Sequence, residues 1–433
     1  MIASLSGIRG ILNQDIALAD VARFAANFAE AAGGSEFLLA RDTRKTGPAM
    51  CRAVAAGIMS LGGTVLDYGI ISTPALFRES RVKNAPAVMV TASHNEPEFN
   101  GLKFIVGGAG IGKETFDKVV GRRSAPGKLP PHGWLREAGR PGYVDSLAER
   151  YGEGSCEGVK VAVDLGGGAA ISHAVPLLRR LGCEVASMND CYSVFTRIVD
   201  PVADGLGLLR RTVKEKGCAI GLGFDCDGDR LVIVDSAGRK RSGDYMLTLA
   251  LRRLVRETGE KKVVVSVDTT QAVDEVAREL GCGVFRSKVG EANVVRAMKE
   301  KGARFGGEGS SGGLIDGDFN YCRDSLLAAL TIIRALREEG DAMYASVPAY
   351  HQERVALRLP KRKAEKALRV LAREYELSEL TDGLKIVLPQ RAWVLMRPSG
   401  TEDVVRVSAE APSAARAERI AKEFARKLKR LSA

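Results

Sequence analysis

Three times along the chain an aliphatic run ends in aspartate, and each time the same sequel follows. FLLARD (37–42) leads into a helical stretch that stops at Leu61-Gly62, with Val65 just beyond; VKVAVD (159–164) leads to Leu181-Gly182 and Val185; VVVSVD (263–268) leads to Leu280-Gly281 and Val284. A glycine after the last periodic residue marks a helix C-terminus. Strand, helix and strand at this spacing make a βαβ unit, with parallel strands covered by helices. Three such units, roughly 100 residues apart, predict three similar α/β domains rather than one large sheet.

The last part of the chain changes character. VALRLP (355–360) has the pattern of a strand and KAEKALRVLAREY (363–375) that of a helix. LKIVL (384–388), AWVLMR (392–397) and VVRVSAEA (404–411) then form three strands before a final helix from about 413 to 431. Strands clustered between two helices predict a small α+β domain with an antiparallel sheet. The stretch 121–142, rich in Pro, Gly and charge, is expected to be a linker.

Composition narrows the class. The 433 residues, 45% hydrophobic and 27% charged, are too many for one core and too apolar for disorder. No apolar run approaches the ~18 residues of a membrane span, and MIASLSGIRG lacks a signal peptide's basic start and apolar centre. A cytoplasmic protein is expected. Its eight cysteines form no CxxC pair and are expected to be reduced core fillers, and four histidines are too few for a multi-His metal site. The net charge is +11, and residues 351–433 hold 19 Lys+Arg against 11 Asp+Glu. That excess suits nucleic acid, an acidic small substrate or a solvated helix surface. Nucleic acid is disfavoured, because the tail has no binding motif and no aromatics among its basic residues.

Five segments can carry chemistry. In VMVTASHNEPEFNGLKF (88–104) a buried strand runs into a sharp polar turn that presents Ser93. Ser93 is either a nucleophile with His94 as base, a phosphoryl carrier, or part of an ordinary turn; no G-x-S-x-G surrounds it. In IGLGFDCDGDRLVIVD (220–235) Asp225, Asp227 and Asp229 crowd together between two strand-like runs. Such carboxylates repel unless a cation sits among them, and hard oxygen ligands suit Mg²⁺. The sixth and twelfth positions from Asp225 are Arg230 and Ser236, which excludes an EF-hand, and Arg230 offers a fork to phosphate. The same triplet also fits a phosphatase with Asp225 as nucleophile and Asp227 as acid/base, in which Ser93 would be incidental. In the glycine-rich stretch 303–325, Glu308 and Ser310 offer acceptors to sugar hydroxyls. In MRPSGTEDVVRV (396–407), Arg397, Ser399, Gly400, Thr401 and Arg406 combine guanidinium forks, hydroxyls and open backbone, which together bind phosphate. In SGIRG (6–10), Arg9 can reach an anion.

Taken in order, SGIRG, TASHN, DCDGDR, GEGS and RPSGTE resemble the α-D-phosphohexomutase superfamily of phosphoglucomutases, phosphomannomutases and phosphoglucosamine mutases. The resemblance spans essentially the whole chain. It implies three similar α/β/α domains with mixed sheets and a C-terminal α+β domain, TATA-binding-protein-like, around a central cleft. The boundaries fall at 1–137, 142–245, 246–344 and 345–433. It implies a cytoplasmic isomerase that interconverts hexose 6-phosphate and hexose 1-phosphate. Its partners would be a sugar phosphate, with a homodimer left open, and no nucleic acid and no membrane. Ser93 would carry the phosphoryl group. Asp225, Asp227 and Asp229 would hold Mg²⁺ with a phosphoserine oxygen, and Arg9 and Arg230 would lie close by. Lys103 would be the general acid/base, its pKa lowered by neighbouring cations. Glu308 and Ser310 would grip the sugar, with Lys288 nearby. Arg397, Ser399, Gly400, Thr401 and Arg406 would hold the second phosphate of a hexose 1,6-bisphosphate intermediate and activator. Glu96, Asp403, the GEGSSGG loop without histidine, and Ser-Leu-Ser-Gly at 4–7 depart from the usual motifs. The compact length and GEG-type loop look like archaeal members and lean towards the glucosamine enzymes.

Overall fold

The computed structural model describes residues 1–121, 133–375, 378–399 and 403–432. Its first sheet contains β1 (Ile2–Ser4), β2 (Gly7–Ile11), β3 (Glu36–Arg41), β4 (Thr64–Ile70), β5 (Ala87–Val90), β6 (Phe99–Val106), β7 (Ala109–Gly110) and β8 (Leu135–Glu137). The order is β1-β2-β6-β5-β3-β4-β8, with β7 on β6. The second sheet contains β9 (Lys160–Asp164), β10 (Glu184–Met188), β11 (Ile220–Phe224) and β12 (Leu231–Asp235), in the order β10-β9-β11-β12. The third contains β13 (Lys262–Ser266), β14 (Gly283–Ser287), β15 (Phe305–Glu308) and β16 (Gly313–Asp316), in the order β14-β13-β15-β16.

One plan underlies all three. The first strand of each predicted βαβ unit lies between two parallel neighbours, and the last strand of each set turns back antiparallel. The three α/β units expected from the repeated pattern are present. The sequence pattern did not show that each sheet closes with an antiparallel strand, or that the first sheet widens through β1, β2 and β8. The linker expected over 121–142 is corrected in part. Residues 122–132 lie outside the described residues, but Leu135–Glu137 pairs in parallel with β4.

The fourth sheet contains β17 (His351–Arg358), β18 (Ser378–Glu379), β19 (Leu384–Leu388), β20 (Ala392–Pro398) and β21 (Val404–Ala411), in the order β17-β21-β20-β19-β18. Every pair in it is antiparallel, as the tail's pattern predicts. Helices Lys361–Glu374 and Ala414–Leu431 pack on it. The strand expected at 355–360 begins earlier, because β17 pairs with all of β21 from His351↔Ala411 to Arg358↔Val404. Pro360 then caps the helix instead of extending the strand.

The hydrophobic cores divide the molecule unequally. One buried cluster runs from Leu38, Phe77 and Met89 through Tyr143, Leu147, Val161 and Phe224 to Leu247, Val265 and Leu327, so it joins the first three sheets. The fourth sheet has its own core around Ile386, Val394, Val407 and Phe424. It meets the third through a small patch of Val267, Trp393, Leu395 and Val289. Seven of the cysteines are buried and Cys191 is exposed; all are free. Among the described residues no helix is long and apolar enough to cross a membrane.

His173 sits inside the joint between the first two sheets. It is buried, its Nε2 accepts the Ser72 N–H at 3.4 Å, and its ring meets Tyr143 edge-on. Burial, assisted by Arg140, pushes its pKa from 6.5 down to about 4. The folded state therefore resists the proton that the unfolded chain accepts. Its stabilising contribution is complete above pH 6.5 and is lost as pH falls from 6.5 towards 4, by at most about 3 kcal/mol. Urea unfolding at pH 7 and at pH 4.5 should show a smaller acid loss for His173→Gln than for the wild type.

Candidate active site

Each of the three α/β sheets leaves its antiparallel turn at the same place, the carboxyl end of its third parallel strand. In open α/β sheets that edge is where ligands bind. Ser93 lies in the β5–β6 connection, the aspartate triplet in the β11–β12 connection and Ser310 in the β15–β16 connection, with Glu308 ending β15. Three copies of one topology thus present a hydroxyl, a carboxylate cluster and a glycine-rich loop.

Ser93 is fully buried and held at φ 53°, in the left-handed region that a serine enters only when its surroundings impose it. The constraint comes from Arg44, whose side chain is also fully buried. Its guanidinium donates to the carbonyls of Ser93 (2.7 Å), Asn95 (2.6 Å), Phe99 (2.8 Å) and Glu96, and its Nε donates to Asp42 at 3.0 Å. Asp42 also accepts the Thr91 hydroxyl at 2.7 Å. Only a planar fork with five donors can hold so many acceptors at once. Sequence reading passed over Arg44 because RDTRKTG looks like a surface turn. The one signal was its place two residues after the first strand's aspartate.

The Ser93 hydroxyl donates to Asp225 Oδ2 at 3.1 Å and lies 3.5 Å from His94 Nδ1. Asp225, Asp227 and Asp229 are fully buried, with ligand oxygens within 4.8 Å of one another. Burial, reinforced by Asp227 and Asp229, drives the Asp225 carboxyl well above its ordinary range. Burial also works against ionised Asp229, but Arg323, Lys103 and Arg230 outweigh it and hold that group below the usual carboxylate range. Lys103 Nζ donates to Asp227 at 2.7 Å and Asp229 at 2.8 Å, Arg323 donates to Asp229 at 2.7 Å, and Thr73 donates to Asp227 at 2.5 Å. Among the described residues, Oδ1 of Asp227 and Oδ1 of Asp229 still have no hydrogen-bond partner. Two unpartnered buried carboxylate oxygens beside a third carboxylate and a hydroxyl fit a hard divalent cation.

Two expectations about proton transfer change. Burial lowers the Lys103 pKa, but Asp227, Asp229 and Glu291 raise it by more, so this ammonium lies above its ordinary value rather than below. The sequence suggested neighbouring cations; the fold supplies two carboxylates from more than 120 residues away. For His94, burial, Arg230 and Arg9 push the pKa down to about 2, which leaves a neutral ring and a poor general base. Arg9 donates to Asn95 at 2.9 Å, and Arg230 donates to Asp200 at 2.9 Å with its other nitrogen 3.5 Å from His94 Nε2. Both guanidinia therefore flank the serine loop.

Arg323, also overlooked in the sequence, ties the aspartate loop to the glycine-rich loop. Besides Asp229 it reaches Glu308 (3.4 Å), Ser311 (3.1 Å) and Glu291 (3.2 Å). A Cβ at position 313 would collide with its side chain, which accounts for Gly313. Glu308 is buried, and its other oxygen accepts the Gly290 N–H at 2.6 Å. Ser310 lines a cavity of about 960 Å³ with Asp244 and Arg354, whose lining does not include Ser93 or the aspartates. Lys288 is exposed.

The phosphate-binding candidates of the tail form a second group. Arg397 and Arg406 are direct cross-strand partners on β20 and β21, and the Ser399 N–H donates to Val404 at 2.7 Å. Facing like charges destabilise a sheet unless an anion lies between them. Asp382 links this group to the loop before Glu291, accepting Val289 N–H at 3.1 Å and Arg397 at 3.4 Å. Gly400 and Thr401 lie outside the described residues.

Comparison with known proteins gives matches along nearly the whole chain. Sequence profiles described as phosphoglucomutase/phosphomannomutase alpha/beta/alpha domains I, II and III match residues 2–125, 141–238 and 242–352, and the profile of the C-terminal domain matches 355–427. The chain is 32% identical to a probable phosphoglucosamine mutase of Methanopyrus kandleri, over 97% of its own length and 96% of the relative's. It is 32% identical to a phosphoglucomutase/phosphomannomutase of Thermococcus kodakarensis, over 94% of each chain. The crystal structure of a phosphoglucomutase/phosphomannomutase family protein from Burkholderia thailandensis has the same fold, with a TM-score of 0.83 at 24% identity over 99% of this chain and 98% of that one. The Aspergillus fumigatus N-acetylphosphoglucosamine mutase, solved with GlcNAc-6P and magnesium, superposes with a TM-score of 0.56 at 16% identity over 91% and 82% of the two chains.

Two measurements test the site. Saturating Mg²⁺ should raise the unfolding midpoint of the wild type, by the equivalent of about 2.7 kcal/mol at 100 times the dissociation constant, and Asp227→Asn should abolish most of that gain. Arg44→Lys keeps the charge but loses the fork. It should lower stability by about 3 kcal/mol in denaturant unfolding, through several unsatisfied buried carbonyls.

Proposed function

The chain belongs to the phosphoglucomutase/phosphomannomutase family, and we propose that Ser93 carries the phosphoryl group by which this phosphohexomutase interconverts hexose 6-phosphate and hexose 1-phosphate. The observation that carries the assignment is the Ser93 hydroxyl at 3.1 Å from Asp225, inside a buried carboxylate trio with two unpartnered oxygens.

Asp225, Asp227 and Asp229 would hold Mg²⁺. When bound, that ion neutralises charge on the transferring phosphoryl group. Phosphoserine at position 93 gives its phosphoryl to a sugar hydroxyl, the P–O bond to the serine breaking as the bond to the sugar forms. The resulting hexose 1,6-bisphosphate returns its other phosphoryl to Ser93. Arg44 fixes the loop, so the hydroxyl pays no reorientation cost at the moment of transfer. Arg9 and Arg230 steady the phosphoserine oxygens. Lys103 is the cation placed to exchange a proton with the sugar hydroxyl, for which it must part from the carboxylates that now keep it charged. Glu308 and Ser310 would hold the ring, with Lys288 at the rim. Arg397, Ser399, Gly400, Thr401 and Arg406 would hold the phosphate that is not reacting.

The reading of Asp225 as an aspartyl nucleophile is not favoured. Its Oδ1 accepts the N–H groups of Asp229 and Arg230 at 3.1 and 3.2 Å while Oδ2 accepts the Ser93 hydroxyl, which sets a serine against the oxygen that would have to attack phosphorus. Among sugars we favour glucosamine phosphate, the substrate named for most of the similar curated proteins; glucose and mannose phosphates are the alternative.

Ser93→Ala should lower turnover by about 10³-fold or more, and labelled wild-type enzyme should yield an acid-stable phosphoserine. Full turnover of that variant, or a phosphoenzyme cleaved by hydroxylamine, would overturn the assignment.

A further inference from the structure

Glu291 opens helix Glu291–Lys301. Its Oε2 accepts both the backbone N–H of Arg323 at 2.9 Å and Nε of the same residue at 3.2 Å. Its Oε1 has no hydrogen-bond or ion-pair partner among the described residues. Glu308 differs, since both of its oxygens are engaged, one by Gly290 and one by Arg323. The Glu291 side chain is 15% exposed. The surface it keeps lines a cavity of about 350 Å³ between the first and third domains, shared with Lys103 and Ser6. That volume is within the usual range for a small ligand.

The charge pattern gives this carboxylate its meaning. Arg9, Lys103, Arg230 and Arg323 surround a site for an anionic substrate. Lys103, whose ammonium reaches Asp227 and Asp229, also lines the Glu291 cavity, so the cavity adjoins that site, and a carboxylate with an open oxygen there repels the phosphate end of the substrate. It is tolerated where the substrate brings a hydrogen-bond donor, and it discriminates where the donor is a cation, because charge-assisted pairs are the stronger ones. Arg323 fixes Oε2 at two points, so the side chain cannot swing away without giving up both of those hydrogen bonds. Among hexose phosphates, the member that supplies a cation on the ring is a 2-amino-2-deoxyhexose phosphate.

We infer that Glu291 determines sugar specificity by binding the ammonium group of an amino-hexose phosphate through its open oxygen. The inference rests on the phosphohexomutase reading and narrows its substrate class.

The test compares glucosamine 6-phosphate with glucose 6-phosphate in the wild type, Glu291→Gln and Glu291→Asp. The glutamine variant keeps an acceptor for Arg323 and removes the charge. The ratio of kcat/KM for the amino sugar to that for glucose should fall at least tenfold in Glu291→Gln, mainly through KM. Glu291→Asp should stay closer to the wild type. The same two sugars are titrated calorimetrically into Ser93→Ala with and without Glu291→Gln, so that binding is judged apart from turnover. An unchanged ratio in both assays overturns the inference, as does an equal loss for both sugars, which would make Glu291 a support for Arg323 alone. A wild type that binds the amino sugar selectively but turns over neither sugar would refute the mutase reading and leave the role of Glu291 standing. If Glu291→Gln does not fold, the ratio in Glu291→Asp and the binding selectivity of Ser93→Ala decide.

Discussion

Three carboxylates with oxygens within 4.8 Å of one another and no exposed surface repel by roughly 3 kcal/mol per pair, even at an effective dielectric of about 20. The surrounding structure is arranged to bear that repulsion. Lys103 and Arg323 neutralise part of it from the first and third domains, Arg230 contributes from within the loop, and two oxygens remain open for a cation. The site's own side chains thus leave two of its carboxylate oxygens unsatisfied. This is the condition under which a metal binds readily and a transferring phosphoryl group meets a balanced charge.

Because the counter-charges come from different domains, the chemistry depends on how rigidly those domains are joined. The continuous core from Leu38 to Leu327 keeps Ser93, the aspartates and Arg323 in one body. Arg44 settles the remaining freedom, the conformation of the serine loop, by binding four of its carbonyls from a fully buried position. Arg323 performs the equivalent task between the aspartate loop and the glycine-rich loop. Each arginine positions groups that bear the chemistry, and neither needs to touch phosphate to do so.

The sequence disclosed the strands, the threefold βαβ pattern and the antiparallel tail, because all of these follow from local periodicity. It also disclosed Ser93 and the aspartate triplet, because crowded small or acidic residues beside buried strands have few structural uses. It did not disclose Arg44, Arg323, Glu291 or Asp382. Each looks like an ordinary charged residue in a polar turn, and its role is set by partners far away in the chain. The Lys103 expectation went astray for the same reason: its chemistry is decided by Asp227 and Asp229, which lie near it only after folding. The equivalence of the three site loops was also hidden, because they share a topological position and no sequence.

The fourth domain obeys a different constraint. Its core is separate, and among the described residues its apolar contact with the third domain centres on the small patch of Val267, Val289, Trp393 and Leu395. The remaining ties are polar. Glu410, fully buried, accepts Trp393 Nε1 at 2.8 Å and the Gln271 N–H at 2.9 Å, and Lys385 donates to the Val267 carbonyl at 2.8 Å. Burial, with Arg286 adding to it, pulls the Lys385 pKa down to about 8, so this contact is held against a desolvation cost. A small apolar patch and a few buried polar bonds resist displacement far less than a continuous core. The arginines of the tail are therefore tied to the body that holds Ser93 and the aspartates less firmly than that body is tied together.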